Sequence, residues 1–155
     1  MLQQLLTRLP NDNTAHKADA AVLMALTREE VPRLILTKRA AHLKSHAGEV
    51  AFPGGKRDST DASIIETALR EAQEEINLQP HHVQVVGELG LFTSRVGVMV
   101  KPIIGLLDEM PVLQGNPDEI DSIFTVPLEV FLQQKPNYQH KIKYSRFRNC
   151  IAIDV

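Results

Sequence analysis

Glu71, Glu74 and Glu75 stand at i, i+3 and i+4 in the run Arg70-Glu71-Ala72-Gln73-Glu74-Glu75. On a helix this spacing crowds three carboxylates onto one side of a single turn. Like charges so placed destabilise a helix by roughly 0.2–0.5 kcal/mol per pair, and partial burial adds to the cost. A bound cation removes the repulsion, and ligands that are all oxygen favour magnesium or manganese. Upstream, Phe52-Pro53-Gly54-Gly55 predicts a tight turn whose glycines let backbone approach a ligand, with the Gly54 carbonyl available as a further oxygen. A Glu-rich turn alone is more often a solvated face, and Pro-Gly-Gly alone is usually only a turn. Their closeness in one chain segment is what points to a metal site.

A helix has to carry the glutamates. Thr60 or Asp61 is predicted to cap its first turn. Ile64, Ile65, Ala68, Leu69, Ala72 and Ile76 then recur at helical spacing and form one apolar stripe facing the core. On the same wheel Glu71 and Glu75 border that stripe and are expected to be half-buried, whereas Glu74 points toward water. Asn77 suits a left-handed helix stop, and Pro80 follows it.

Taken together, Gly55, Arg70-Glu71-Ala72-Gln73-Glu74-Glu75 and Leu78 resemble the Nudix box of the Nudix hydrolases, here spanning about residues 55–78. The box pattern has an early Glu and a late Gly. Here Asp61 takes the early place, one residue further from Arg70 than the pattern has, and Asn77 replaces the late Gly. Asp61 and Glu66 are both candidates for the partner of Arg70. The upstream run Leu36-Thr37-Lys38-Arg39-Ala40, followed by Lys44, Gly48 and Phe52-Pro53-Gly54-Gly55, is similar to the signature of the coenzyme A pyrophosphatase branch. Lys44 stands where that signature has Arg; it keeps the charge and loses the bidentate fork.

The resemblance implies an α/β fold, a Nudix α/β/α sandwich with a mixed sheet, over a single domain of residues 1–155. It implies metal-dependent hydrolysis of the diphosphate bond of coenzyme A or its derivatives, with Mg2+ or Mn2+ as cofactor. In that scheme Glu71, Glu74, Glu75 and the Gly54 carbonyl hold the metal, and Arg70 holds the glutamates in place. Arg39, Lys44 and His46 meet the substrate. Glu119 resembles a Glu that the branch keeps before its Val126-Pro127-Leu128 segment; it and a box glutamate are both open as general base. Two other outcomes are carried along. One is hydrolysis of a different nucleoside diphosphate derivative, such as ADP-ribose or a dinucleoside polyphosphate. The other is a non-catalytic domain that only binds a nucleotide.

Composition sets the outer bounds. A chain of 155 residues with 43% apolar and 23% charged residues is an ordinary soluble globule, long enough for a real core. A net charge of −2 leaves no electrostatic footprint for nucleic acid or an anionic membrane. The one cysteine, Cys150, reads as a small buried hydrophobe and fits a reducing cytoplasm. Residues 1–9 hold no long apolar run of the signal-peptide kind.

The rest of the chain supplies the scaffold. Leu2, Leu5, Leu6 and Leu9 predict a short amphipathic helix ended by Pro10, and residues 11–17 a polar linker. Residues 20–26 and 34–38 are predicted as a strand pair. His42 and His46 on the following loop lack a soft-ligand partner and are not taken as metal ligands. Further strands are expected at 83–91 and 98–107, with Pro102 placing the second at a sheet edge or a bulge. A loop at 108–118 leads to Ile123-Phe124-Thr125-Val126-Pro127-Leu128, and a short helix to 128–132. A last strand pair is expected at 138–144 and 149–155. The family usually continues into another helix after this point, whereas this sequence stops on Ile151-Ala152-Ile153-Asp154-Val155, so two alternatives stay open: a shortened chain, or a fold without that C-terminal helix.

Overall fold

The computed structural model describes residues 2–9 and 13–133. The strand pair expected at 138–144 and 149–155, Cys150, and Pro10 with the start of the linker lie outside the described residues.

The described chain runs α1 (Leu2–Leu6), β1 (Ala20–Thr27), β2 (Arg33–Arg39), β3 (Val50–Ala51), β4 (Gly54–Lys56), α2 (Ile64–Ile76), β5 (Gln84–Glu88), β6 (Phe92–Thr93), β7 (Met99–Leu107), β8 (Ile120–Pro127) and α3 (Leu128–Gln133). One mixed sheet has the order β3-β2-β1-β7-β5, with β4 added on β1, β6 on β7 and β8 on β2. The β1–β7 pair is parallel and the others are antiparallel.

Strand periodicity sorts the core into two faces. Ala21, Leu23, Ala25, Ile35, Ile103 and Leu107 pack with Ile64, Ala68, Ala72 and Ile76 of α2. On the opposite face Leu26, Leu34, Ile104 and Leu106 meet Leu2 and Leu6 of α1 and Leu128 and Phe131 of α3. The result is the expected α/β/α layering, and the apolar stripe of α2 is where the wheel put it.

Two local expectations are corrected. Helix α2 begins later than Thr60 or Asp61: Ser63 is the cap, its Oγ accepting the Glu66 N–H at 3.2 Å. Glu66 returns a carboxylate oxygen to the Ala62 N–H at 2.9 Å. The Ser-x-x-Glu pattern at 63–66 thus forms a variant of the capping box in which the Glu reaches the N–H of the residue before the cap rather than that of the cap itself. Asp61 is unavailable as a cap because its carboxylate is used elsewhere. Pro102, in turn, lies in an interior strand between β1 and β5 rather than at an edge, and the irregularity of the β5–β7 pair falls nearby, between Val85 and Gly87 opposite Gly105 and Ile104. Its missing N–H costs little there, because β5 ends at Glu88, opposite Ile103. Beyond that point the Pro102 carbonyl still accepts the Leu89 N–H at 2.9 Å.

Candidate active site

β1 and β2 pair only near Leu26 and Leu34, then splay. The gap is filled by β3 against the end of β2 and by β4 against the start of β1. Phe52 and Pro53 carry the chain from one to the other, and the Pro53 carbonyl accepts the Leu23 N–H at 2.7 Å. Gly54 and Gly55 are therefore extended strand residues, not the positive-φ residues of a tight turn; the only positive-φ glycines among the described residues are Gly48 and Gly97. Their smallness has a different cause. A Cβ on Gly54 would lie 2.3 Å from the Ala21 carbonyl oxygen, and one on Gly55 would lie 2.5 Å from the Glu71 carboxyl carbon. Only glycines let this strand press between β1 and the acidic turn of α2.

That acidic turn is graded in burial as the helical wheel requires. Glu75 is 3% exposed, more deeply buried than expected. The Glu71 side chain is 15% exposed and that of Glu74 is 55% exposed. Glu75 Oε2 accepts the Gly54 N–H at 3.2 Å, and Oε1 lies 3.7 Å from Arg39 Nη1. Burial pushes the Glu75 carboxyl up to about 7. The Gly54 N–H and Arg39 oppose that rise, while the charges of Glu119 and Glu71 add to it. Glu71 is likewise raised by burial, with Arg70 pulling it down and Glu74 and Glu119 pushing it up.

Arg70 anchors the turn. Its Nε and Nη2 grip the two oxygens of Asp61 at 2.9 and 3.0 Å. Nη2 also donates to the Lys56 carbonyl at 3.0 Å, and Nη1 reaches Glu71 at 3.0 Å and Glu74 at 3.2 Å. Asp61 accepts in addition the Thr67 hydroxyl and the Asp58 N–H. The Arg70 guanidinium holds the Asp61 carboxyl far below the usual carboxylate range. Of the two candidate partners for Arg70, Asp61 is the one it binds, and Glu66 serves the helix cap.

Arg39 ends β2 where the β2–β8 register slips by one: Lys38 faces Ser122, but Arg39 faces Ile120. The slip leaves Asp121 as an extra residue, the kind of bulge that re-aims side chains near a site. Just past it, the Ala40 N–H binds the Glu119 carbonyl at 2.8 Å, and a His42 ring nitrogen lies 3.1 Å from the Asp118 carbonyl oxygen. Glu119 is held from the other side too. The Gln114 and Asn116 N–H groups cap the carbonyls of Ile76 and Glu75 at the end of α2, which Asn77 closes with φ 56°.

The structure thus gathers Glu71, Glu75, Glu119, Arg39 and Arg70 beside Gly54 and Gly55. Lys44 and His46 are exposed on the loop at 40–48, and among the described residues neither bonds to the three glutamates. The His46 ring instead meets Glu49 at 2.7 Å. Two supports had no sequence signal: Thr67, whose hydroxyl steadies Asp61, and the main chain of residues 114–116.

A family model described as NUDIX domain matches residues 16–147. The chain belongs to the Nudix family. Relatives from Salmonella typhimurium and Salmonella typhi, each called "Uncharacterized Nudix hydrolase NudL", are 45% identical over 84% of this chain and 68% of their own length. Among solved structures, an Ap4A hydrolase binary complex from C. elegans matches with a TM-score of 0.61 at 19% identity, covering 74% of this chain and 83% of that one. The NUDIX domain of Shewanella oneidensis NrtR, complexed with ADP ribose, matches with a TM-score of 0.57 at 21% identity, covering 87% and 88%. At such identities these structures establish the shared fold. The protein is a Nudix hydrolase, and Nudix hydrolases generally use divalent cations such as Mg2+ or Mn2+.

The residues fit such a cation by type. Every side-chain donor is a carboxylate oxygen, and Glu71 and Glu75 are both desolvated with like charges as neighbours. Glu71 and Glu74 turn to Arg70, and Glu75 turns to Arg39. Accordingly, no group of three or more His, Cys, Asp or Glu side chains among the described residues is drawn into a metal-holding cluster. No described helix is long and apolar enough to cross a membrane.

The Gly55 contact yields a direct test. A methyl group at this position strikes the movable end of Glu71 rather than backbone. Gly55→Ala is expected to melt within about 1 kcal/mol of the wild type. It should nonetheless lose most of its hydrolytic activity, because the carboxylate is displaced. A large loss of stability in urea unfolding with normal turnover would contradict this account.

Proposed function

We propose that this Nudix hydrolase cleaves the diphosphate bond of coenzyme A or its derivatives, releasing an adenosine bisphosphate and a phosphopantetheine. The observation that carries the proposal is the ion pair of Arg39 with Glu75. It brings the Leu36-Thr37-Lys38-Arg39-Ala40 run, where the likeness to the coenzyme A branch resides, into the acidic site itself.

In the proposed mechanism Glu71, Glu75 and Glu74, with the Gly54 carbonyl, hold the divalent cation. Bound there, the cation would offset the charge of the diphosphate and make water easier to deprotonate. Arg70, locked on Asp61, holds Glu71 and Glu74 in register. Arg39 and Lys44 bind substrate phosphates, and His46 lies on the same loop as a further contact. The general base is Glu119 or a box glutamate; Glu119 already lies near enough for its charge to act on Glu71 and Glu75. The substrate is a small nucleotide, and the compartment consistent with one cysteine is the cytoplasm.

A second reading draws on the structural neighbours, one called an Ap4A hydrolase and one complexed with ADP ribose. Incubating the protein with coenzyme A, ADP-ribose or a dinucleoside tetraphosphate, each with Mg2+ or Mn2+, separates the two. Mass spectrometry should show phosphopantetheine formed fastest from coenzyme A. Faster cleavage of either alternative overturns the coenzyme A assignment. Nucleotide binding without cleavage of any of them overturns the hydrolytic one.

A further inference from the structure

The two arginines of the site are held very differently. Arg70 is bound at nearly every donor, with a bidentate grip on Asp61 and a backbone carbonyl besides. Arg39 is not. Its one ion pair among the described residues, to Glu75, is 3.7 Å long, well beyond the roughly 2.7–2.9 Å of a charge-assisted hydrogen bond. Its Nε is buried and has no hydrogen-bond partner among the described residues. A buried donor left unpaired is a costly state, and one that a better acceptor relieves. Glu75, for its part, is almost wholly buried, and a buried carboxylate needs a countercharge. Its other oxygen is taken by the Gly54 N–H.

We infer that Arg39 is an internal counter-ion that stands in for the divalent cation beside Glu75 and transfers to a substrate phosphate when the cation binds. The inference rests on the metal assignment proposed above and adds a competition to it. A guanidinium and a dication within reach of the same carboxylate repel each other, so entry of the cation weakens the hold of Glu75 on Arg39. The freed guanidinium is planar and carries donors in a fork that matches phosphate oxygens, which also supplies the missing partner for Nε. Linkage then requires the converse: a phosphate ligand that captures Arg39 vacates Glu75 and tightens cation binding by the same factor. Cation and substrate then assemble cooperatively.

The experiment is a Mn2+ titration of the metal-free protein, with free Mn2+ read by electron paramagnetic resonance. Arg39→Gln should bind Mn2+ more tightly than the wild type, by about fivefold to tenfold for a partly screened neighbouring charge. Arg39→Lys, which keeps the charge, should stay near the wild type. Adenosine 3′,5′-bisphosphate should tighten Mn2+ binding in the wild type and not in Arg39→Gln. A purely structural role for Arg39 predicts the opposite, a weaker site on its removal. Wild-type protein provides a readout independent of any variant: the Arg39 Nε–H resonance should move during a Mg2+ titration with the midpoint of cation binding. Mn2+ binding to the wild type with no tightening in Arg39→Gln, or a stationary Arg39 resonance, overturns the counter-ion role alone. Absence of Mn2+ binding to the wild type overturns the metal assignment and this inference with it.

Discussion

Glu75→Gln is expected to lower kcat by about 10²–10³-fold while leaving the metal-free protein at least as stable as the wild type above pH 7. Glutamine keeps the shape of the side chain and can still accept the Gly54 N–H through its amide oxygen. What it removes is the negative charge. In the proposed metal site, losing one anionic ligand would forfeit several kcal/mol of transition-state charge stabilisation, or about 10²–10³-fold in kcat. Stability moves the other way. The carboxyl titrates near 7 in the folded protein and near its ordinary value of 4.5 when unfolded, with burial as the main cause. Between these two pH values the folded state binds more protons than the unfolded one, so wild-type stability falls as pH rises through the window. The full contribution is on the order of 3 kcal/mol, and Glu75→Gln is exempt from it. Thermal melts of both proteins without metal at pH 5 and pH 8 check the sign: the variant should gain on the wild type as pH rises. Wild-type kcat in the variant would remove Glu75 from the metal site. A gap that does not change with pH would remove the buried ionised carboxylate.

Asp61→Asn should be the most destabilising single change near the site. Asp61 is 8% exposed and supplies both oxygens of the bidentate pair with Arg70, whose side chain is 28% exposed. An amide can accept only on one side, and its NH2 group faces a guanidinium that also donates. Breaking a largely buried pair from one end leaves the other charge uncompensated, at a cost of about 2–4 kcal/mol. The Thr67 hydroxyl is disturbed as well, since it donates to the same oxygen as Arg70 Nη2. Loosening Arg70 then frees Glu71 and Glu74, so kcat should drop together with stability. Glu66→Gln is the matched control. Glu66 serves only the helix cap, and its loss should cost about 1 kcal/mol or less with normal turnover. Equal unfolding midpoints for the two variants in urea would show that Arg70 does not depend on Asp61.

The helix and its acidic turn were legible because both follow from spacing. A period of 3.6 residues puts Ile64, Ala68, Ala72 and Ile76 on one face and grades Glu75, Glu71 and Glu74 from buried to exposed. Asn77 announced the end of the helix for an equally local reason, since it tolerates a left-handed backbone. The long strands β1, β2, β5 and β7 were legible as apolar runs, because a sheet covered on both faces buries nearly every residue of its inner strands; the short β3, β4 and β6 carry no such run, and β4 reads locally as a turn. The start of α2 was missed although Ser63 and Glu66 spelled it out. The capping preference of Asp61 was outweighed by its pairing with Arg70, a contact nine residues away in sequence.

Sequence alone determined the residue types of the site, the helix that presents the glutamates and the family to which the chain belongs. These properties depend on neighbours a few positions apart, and on motifs that one chain segment carries whole. Only the tertiary structure decided which carboxylate Arg70 takes, that Gly54 and Gly55 are small because β1 and Glu71 press on them, and that Arg39 reaches Glu75. Each of those facts depends on elements far apart in the chain meeting at fixed distance. The splay of β1 from β2, and the one-residue slip between β2 and β8, set those meetings, and neither is written in local propensity.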